Sequence, residues 1–301
     1  MPTTNQFLVN TTIASTQEYS SVATLNDGSF VVTWSSNDQD GYGYGVFGQR
    51  FSATGTPLGG EFQINTTTTS DQWWSTTTAL NDGSFVVTWS SNGQDGDGYG
   101  VFGQRFSATG TPLGGEFQIN TTTASDQSVS PTIALKDGSF VVTWASDGQD
   151  GDDYGLFGQR FSATGTPLGG EFQINTTTAS DQIYFSATTL NDDSFIVTWS
   201  SDGQDGDEFG VFGQRFSATG TPLGDEFQIN TTTANWQAWS SATALNDGSF
   251  VVAWSSNGQD GDGYGVFGQR FSATGTPLGD EFQINTTTAR DLVVVLRHRP
   301  E

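Results

Sequence analysis

The string FGQRFSATGTPLG at residues 102–114 decides the reading, because it also begins at Phe47, Phe157, Phe212 and Phe267. Successive copies are 55 residues apart. A fixed period of this length marks a repeat architecture, in which each unit buries its apolar faces on its neighbours. A tryptophan recurs in the same frame at Trp34, Trp89, Trp144, Trp199 and Trp254. A segment ending in Asn-Thr-Thr occurs six times, first from Phe7 to Thr12 and then from Phe62, Phe117, Phe172, Phe227 and Phe282. One repeat domain, residues 1–289, is expected, with units at about 11–65, 66–120, 121–175, 176–230 and 231–285. An extra copy of the last segment, residues 6–10, precedes them and suits a closing strand. Residues 290–301, RDLVVVLRHRPE, leave the repeat.

Each unit reads as four short strands. In the second, Trp74 to Leu80 is rich in Thr, and Asn81-Asp82-Gly83-Ser84 is a hairpin turn signal. The fourth unit has Asp193 where the others have Gly, and Asp tolerates positive φ better than most residues. Phe85 to Ser90 is β-branched and aromatic. A Gly/Asp loop follows, then strands at Tyr99 to Ser107 and Glu116 to Asn120. Gly recurs too often for helices. The fold class expected is all-β: a β-propeller of about five four-stranded blades, with an open β array as the alternative. Phe85, Val87, Trp89, Val101, Phe106, Phe117, Ile119 and their equivalents are expected to be buried between sheets. The last unit already owns a fourth strand from Glu281 to Asn285, so the copy at 6–10 is surplus to a simple closure.

Composition narrows the partners. The chain has 301 residues, 33 acidic and 9 basic, for a net charge of −24. That charge repels a phosphate backbone, so nucleic acid is not expected. Anionic membranes are disfavoured too, and no apolar run of 18 residues exists for membrane insertion. The absence of cysteine removes disulfides, thiolate metal sites and cysteine nucleophiles. The one histidine, His298, lies at the end of the chain. The start, MPTTNQFLVN, lacks a charged region followed by an apolar one, so no cleavable signal peptide is expected.

The string DGSFVVTWSSNGQDGDGYGVFGQRFSATGTPLGGEFQIN, residues 82–120, resembles tandem repeats of large secreted bacterial proteins of the hemolysin-type and adhesin-like kind. The resemblance spans Gln6 to about Ala289. It implies an extracellular or cell-surface location, export without a cleaved leader, and membership of a larger multidomain protein. The glycine-rich calcium motif G-G-x-G-x-D of such proteins is absent.

Three features could carry chemistry. The Gly/Asp loops place Asp40 in the first unit, then Asp95 and Asp97, Asp150 and Asp152, Asp205 and Asp207, and Asp260 and Asp262. Calcium takes six to eight oxygens, and an Asp-x-Asp loop with glycines can curl several toward one point. The alternative is a solvated acidic hairpin. Tyr42 replaces the second Asp in the first unit. The repeated Arg50, Arg105, Arg160, Arg215 and Arg270 read as structural ion pairs or carbonyl contacts rather than as a ring of anion sites.

The third feature is a variable window. The aligned triplets are Glu18-Tyr19-Ser20, Trp73-Trp74-Ser75, Ser128-Val129-Ser130, Ile183-Tyr184-Phe185 and Ala238-Trp239-Ser240, and Trp236 replaces an Asp in the fifth unit. Large rings that vary on a constant frame read as a recognition surface. Packing beside a central channel is the alternative. Tyr19, Trp73, Trp74, Tyr184, Trp236 and Trp239 are the candidate contacts for a glycan or cell-surface ligand. The competing reading is a structural spacer of an adhesin, stabilised by calcium. Five near-identical units supply no unique catalytic constellation, so an enzyme is not expected. The Asn-Thr-Thr segments also match glycosylation acceptors, but read better as strand-end turns.

Overall fold

The computed structural model describes residues 6–286. The tail at 290–301 and His298 lie outside the described residues. Each repeat folds locally into a four-stranded antiparallel sheet. The first runs through β1 (Gln17–Thr24), β2 (Phe30–Asn37), β3 (Tyr44–Phe51) and β4 (Phe62–Gln63), in spatial order β1-β2-β3-β4. The second has β5 (Gln72–Ala79), β6 (Phe85–Asn92), β7 (Tyr99–Phe106) and β8 (Phe117–Gln118). The third comprises β9 (Gln127–Ala134), β10 (Phe140–Asp147), β11 (Tyr154–Phe161) and β12 (Phe172–Gln173). The fourth is β13 (Gln182–Thr189), β14 (Phe195–Asp202), β15 (Phe209–Phe216) and β16 (Phe227–Gln228). The fifth is β17 (Gln237–Ala244), β18 (Phe250–Asn257), β19 (Tyr264–Phe271) and β20 (Phe282–Gln283). The chain falls into two compact units, Met1–Val142 with Phe161–Leu168, and Thr143–Arg160 with Gly169–Glu301.

Turn chemistry sets each hairpin. In the second repeat the Leu80 N–H donates to Ser84 O at 2.8 Å, and Gly83 takes φ +85. Asp193 holds the same conformation at φ 67, as its side chain permits. The turn Asp carries a second role. Asp82 Oδ1 accepts from the Ser84 N–H at 2.9 Å, and its Oδ2 accepts from Arg105 Nη2 at 3.0 Å. Arg50, Arg215 and Arg270 pair likewise with Asp27, Asp192 and Asp247. The buried guanidinium therefore finds its partner in its own repeat.

These pairs make the fold acid-sensitive. Burial raises the Asp82 and Asp192 carboxyls, but the Ser84 or Ser194 hydroxyl and N–H, with the Arg105 or Arg215 guanidinium, outweigh it and hold both below the usual range. A carboxyl depressed in the fold stabilises it above the unfolded value of about 3.9, and that contribution is lost as pH falls through the folded value. Asp82→Asn combined with Asp192→Asn should lower the melting temperature at pH 7 and change it little near pH 2. Calorimetry at both pH values checks this; an equal loss at both would remove ionisation as the cause.

The core follows from strand periodicity. Phe85, Val87 and Trp89 lie on one face of β6 and pack on Leu25, Val31, Val46 and Ile64 of the preceding repeat. In the second unit Phe250, Val252 and Trp254 pack in the same way on Leu190, Ile196, Val211 and Ile229. Both faces of the middle strands are buried, since Val86, Thr88 and Ser90 on the other face of β6 are as fully covered as Phe85, Val87 and Trp89. Phe117 is only half-buried.

Two expectations fail. The fourth strands are two residues long rather than five, because a side chain replaces the ladder. In the second repeat Asn120 Oδ1 accepts from the Val101 N–H at 2.7 Å, after Ile119 N–H has bonded Val101 O at 2.8 Å. Asn65, Asn120, Asn175 and Asn230 are buried in this role, which removes them as glycosylation acceptors. The segment at 6–10 is not a strand. Its Phe7 instead packs on Phe51 with ring centroids 5.3 Å apart.

Candidate functional site

The variable window coincides with a β-bulge. Pairing of β5 with β6 runs Trp73↔Ser90 and resumes at Thr76↔Thr88, so two residues oppose Trp89. The same break falls between Glu18 and Ser21, Ile183 and Ser186, and Ala238 and Ser241. The first extra residue takes positive φ in each case: Tyr19 at 53, Trp74 at 56, Tyr184 at 52 and Trp239 at 57. A bulge of this kind ordinarily places glycine there. A bulky aromatic in that region is a genuine outlier, and such strain concentrates at functional positions.

This strain has a measurable signature. In unstrained strands Ala is more stable than Gly by about 0.5–1 kcal/mol. At Trp239 the order should invert, with Trp239→Gly more stable than Trp239→Ala by about 1 kcal/mol, because only Gly escapes the left-handed penalty. Chemical denaturation of the two variants reads the difference directly. Ala at least as stable as Gly would mean that the bulge backbone is not strained.

The rings gather into one cluster in each unit. In the first, Trp73 stacks on Trp74 at 4.7 Å and lies 5.4 Å from Tyr44 and 5.8 Å from Tyr99. Tyr19 stands edge-on to both indoles, at 6.3 and 6.1 Å. In the second, Trp236 meets Trp239 at 4.2 Å and Tyr264 at 5.6 Å. Tyr184 lies 5.8 Å from Trp239 and 6.2 Å from Phe209. All six window candidates thus fall in these two clusters. Trp74 is 9% exposed and nearly covered, whereas Tyr19, Trp73, Tyr184, Trp236 and Trp239 are half-buried. Trp74 is therefore a support for its neighbours rather than an open face.

Tyr44, Tyr99, Phe209 and Tyr264 were not among the sequence candidates. They open the third strand of their repeats, opposite Asn37, Asn92, Asp202 and Asn257. An aromatic at this frame position in every repeat was the available signal. Asp71 and Asp126 position two of them: the Tyr44 and Tyr99 N–H groups donate to their Oδ1 atoms at 3.0 and 2.9 Å. In the fifth repeat Trp236 stands at that Asp position, and its ring packs at 6.1 Å on Phe209, the residue a carboxylate there would hold. The Tyr44 phenol is pushed up to about 12 by burial and by the adjacent Glu18 carboxylate. It stays protonated, a hydrogen-bond donor at neutral pH.

Several hydroxyls near the rings are already committed inside the protein. Thr33 Oγ1 lies 3.1 Å from Ser75 Oγ and 2.7 Å from Thr77 Oγ1, and Ser240 donates to Thr198 at 2.9 Å. Ser20, Ser241 and Thr243, on the same first strands as the window rings, are exposed.

The acidic loops have internal partners. Asp40, Asp95, Asp150, Asp205 and Asp260 each accept from the fourth-segment Asn of their repeat, at 2.9 Å for Asp95 and Asp150. A Cβ on Gly100 would lie 2.3 Å from Asp95 Oδ2, so that glycine makes room for the carboxylate. Asp97, Asp152 and Asp207 accept from the N–H of Ser125, Ser180 and Asn235, tying the loop to the turn before the next first strand. The Asp262 N–H donates to Asp260 Oδ1 at 3.4 Å. Among the described residues no three His, Cys, Asp or Glu side chains gather into a metal-holding group. Burial raises the Asp205 carboxyl despite the Asn230 contact.

No family model matches this chain, and no curated protein sequence matches it. The hemolysin and adhesin resemblance therefore gains no family support. Solved structures share the fold. One is a protein of unknown function from Dyadobacter fermentans, with a TM-score of 0.61 and 11% identity over 90% of this chain and 83% of that one. Another is the NanB sialidase of Streptococcus pneumoniae, with a TM-score of 0.61 and 9% identity, covering 92% of this chain but only 62% of the sialidase. A third is a polysaccharide lyase described as an ulvan lyase, with a TM-score of 0.54 and 12% identity over 89% and 74% of the two chains. These likenesses correct the expectation that such a chain is not an enzyme. The fold is shared with enzymes, because catalytic asymmetry needs only a few differing residues on a repeated frame.

Proposed function

We propose that this protein recognises glycans through the two aromatic clusters, carried on sheets that act as blades of a propeller. The observation behind the reading is the strained bulge. Four large rings, Tyr19, Trp74, Tyr184 and Trp239, take a conformation that costs energy where glycine would cost none. Packing alone gives no reason to retain that cost at Tyr19, Tyr184 and Trp239, which are only half-buried. Sugars present C–H faces that pack on aromatic rings and hydroxyls that need polar partners, and the window offers rings beside Ser and Thr. The likeness to a sialidase and a polysaccharide lyase supports the same ligand class. An extracellular or cell-surface location and a place in a larger multidomain protein belong to this reading.

Separate clusters with different rings need not share one specificity. Weak sites on one chain gain avidity on a repetitive surface through effective concentration. Calcium is a second proposed ligand, drawn from the Asp95- and Asp97-type loops, and it would have to draw these carboxylates from their Asn and backbone partners.

A glycan-array screen in calcium and in chelator tests both proposals. Saturable binding to a defined glycan class is the expected result. Loss of that binding in chelator would assign calcium a part in it. Incubating each hit with the protein and looking for cleaved or eliminated products then separates recognition from turnover. No binding across the array would leave the spacer reading in place.

A further inference from the structure

Glu18 sets one aromatic cluster apart from the other. Its frame position holds Trp73, Ser128, Ile183 and Ala238 in the later repeats, so Glu18 is the only acid there. It is half-buried, directly precedes the bulge residue Tyr19, and accepts a hydrogen bond from the Tyr44 phenol. The Tyr44 ring lies 5.4 Å from Trp73, and Tyr19 stands 6.3 Å from the same indole. One carboxylate is thus held beside the rings with acceptor capacity left over. Asp71 and Asp126 add two more, accepting from the Tyr44 and Tyr99 N–H groups. Burial and the charges of these two aspartates raise the Tyr99 phenol.

The cations stand elsewhere. In the unit that holds this cluster, the described Lys and Arg residues are Arg50, Arg105 and Lys136. Arg50 and Arg105 pair with the turn residues Asp27 and Asp82, and Lys136 lies in the equivalent turn between β9 and β10. Glu18 pairs with Ser35, and Ser35 with Val46; Arg50 comes four residues after Val46 on β3, roughly 13 Å away by strand rise. In these sheets the hairpin-turn end keeps the cations and the window end carries carboxylates. We propose that the first cluster selects glycans bearing a protonated amine, with Glu18 taking the ammonium beside the Trp73 ring, and that it rejects sugar acids. The inference rests on glycan recognition by that cluster. An ammonium gains a charge-assisted hydrogen bond from the carboxylate and attraction from the indole face. A sugar acid meets like charge instead. The second cluster has Ile183 and Ala238 in the place of Glu18 and lacks this preference.

Three tetrasaccharides test the proposal at about pH 6, where an amino sugar is protonated: glucosamine, its N-acetylated form and galacturonate. They are titrated into the full chain labelled with 15N at tryptophan. At the Trp73 and Trp74 signals the amine form should bind about tenfold more tightly than the acetylated form, and the uronate more weakly than either. Added salt should narrow the preference. Glu18→Gln keeps an acceptor for Tyr44 and should bring the amine-to-acetyl ratio to about one, with melting curves confirming the fold. Equal binding of all three by the intact chain would overturn the charge selection and leave glycan recognition standing. So would a preference that survives Glu18→Gln, or an amine form that fails to bind where other array glycans still shift Trp73. No shift with any glycan would remove recognition as well.

Discussion

Replacing Trp199 with Ala lowers stability by about 3–5 kcal/mol, the range for deleting a large buried ring from a packed interior. Trp199 is fully buried and stands opposite Phe212 across the β14–β15 ladder. The bulge between Ile183 and Ser186 bends the facing strand over it. Truncation leaves a void between two sheets that are held by their own ladders and so collapse poorly onto it. Trp199→Phe should cost much less. The buried indole N–H has no acceptor, so removing it forfeits no hydrogen bond. Urea denaturation of the three proteins checks the order. A loss under about 1 kcal/mol for Trp199→Ala would place the ring at the surface and contradict the strand assignment.

Trp73→Ala combined with Trp239→Ala should weaken glycan binding by about tenfold per ring while leaving the chain folded. A contact ring at the centre of a site is worth roughly 1–2 kcal/mol, and 1.4 kcal/mol is tenfold. Both rings are half-buried, with covered edges that hold their position and open area for a ligand. Trp74→Ala should behave differently. That ring is nearly covered by Trp73, Tyr19 and Tyr99, so its loss acts first on stability. Surface binding and melting curves on the same preparations separate the two effects. A double variant that binds as the parent does would reduce the window to packing.

The frame of this protein is legible in its sequence because local rules agree there. The Asn-Asp-Gly-Ser turn, the alternation of Phe85, Val87 and Trp89, and the recurrence at 55 residues all describe one hairpin-built sheet. Asp193 shows the rule at a single position: it departs from Gly and still takes positive φ. The end of each unit was less legible. A propensity reading sees five strand residues in EFQIN, whereas the Asn side chain replaces the backbone ladder after two. The segment at 6–10 differs from its strand-like sequence for a related reason. It copies a strand sequence, but its Phe7 and Asn10 serve as side-chain anchors.

The aromatic window was found by its variation, and that criterion hid its constant members. Tyr44, Tyr99 and Tyr264 belong to the frame by sequence and to the clusters by position. Variation likewise could not distinguish Trp73 from Trp74, since burial within a bulge depends on which way the backbone turns. The left-handed φ at Trp74 has no sequence signal, because glycine is the residue that would announce it. The non-enzyme expectation rested on repetition alone, and repetition does not bar a few asymmetric residues from carrying chemistry.

Nine tryptophans give nine indole N–H resonances, and they report ligand contact at the window directly. In protein labelled with 15N at tryptophan, titration with a glycan from the array should shift Trp73, Trp74, Trp236 and Trp239. The signals of Trp34, Trp89, Trp144, Trp199 and Trp254, all buried, should stay in place. Saturable shifts confined to the window indoles are the expected result. Shifts confined to the five core indoles, or binding with no shift in the window, would contradict it.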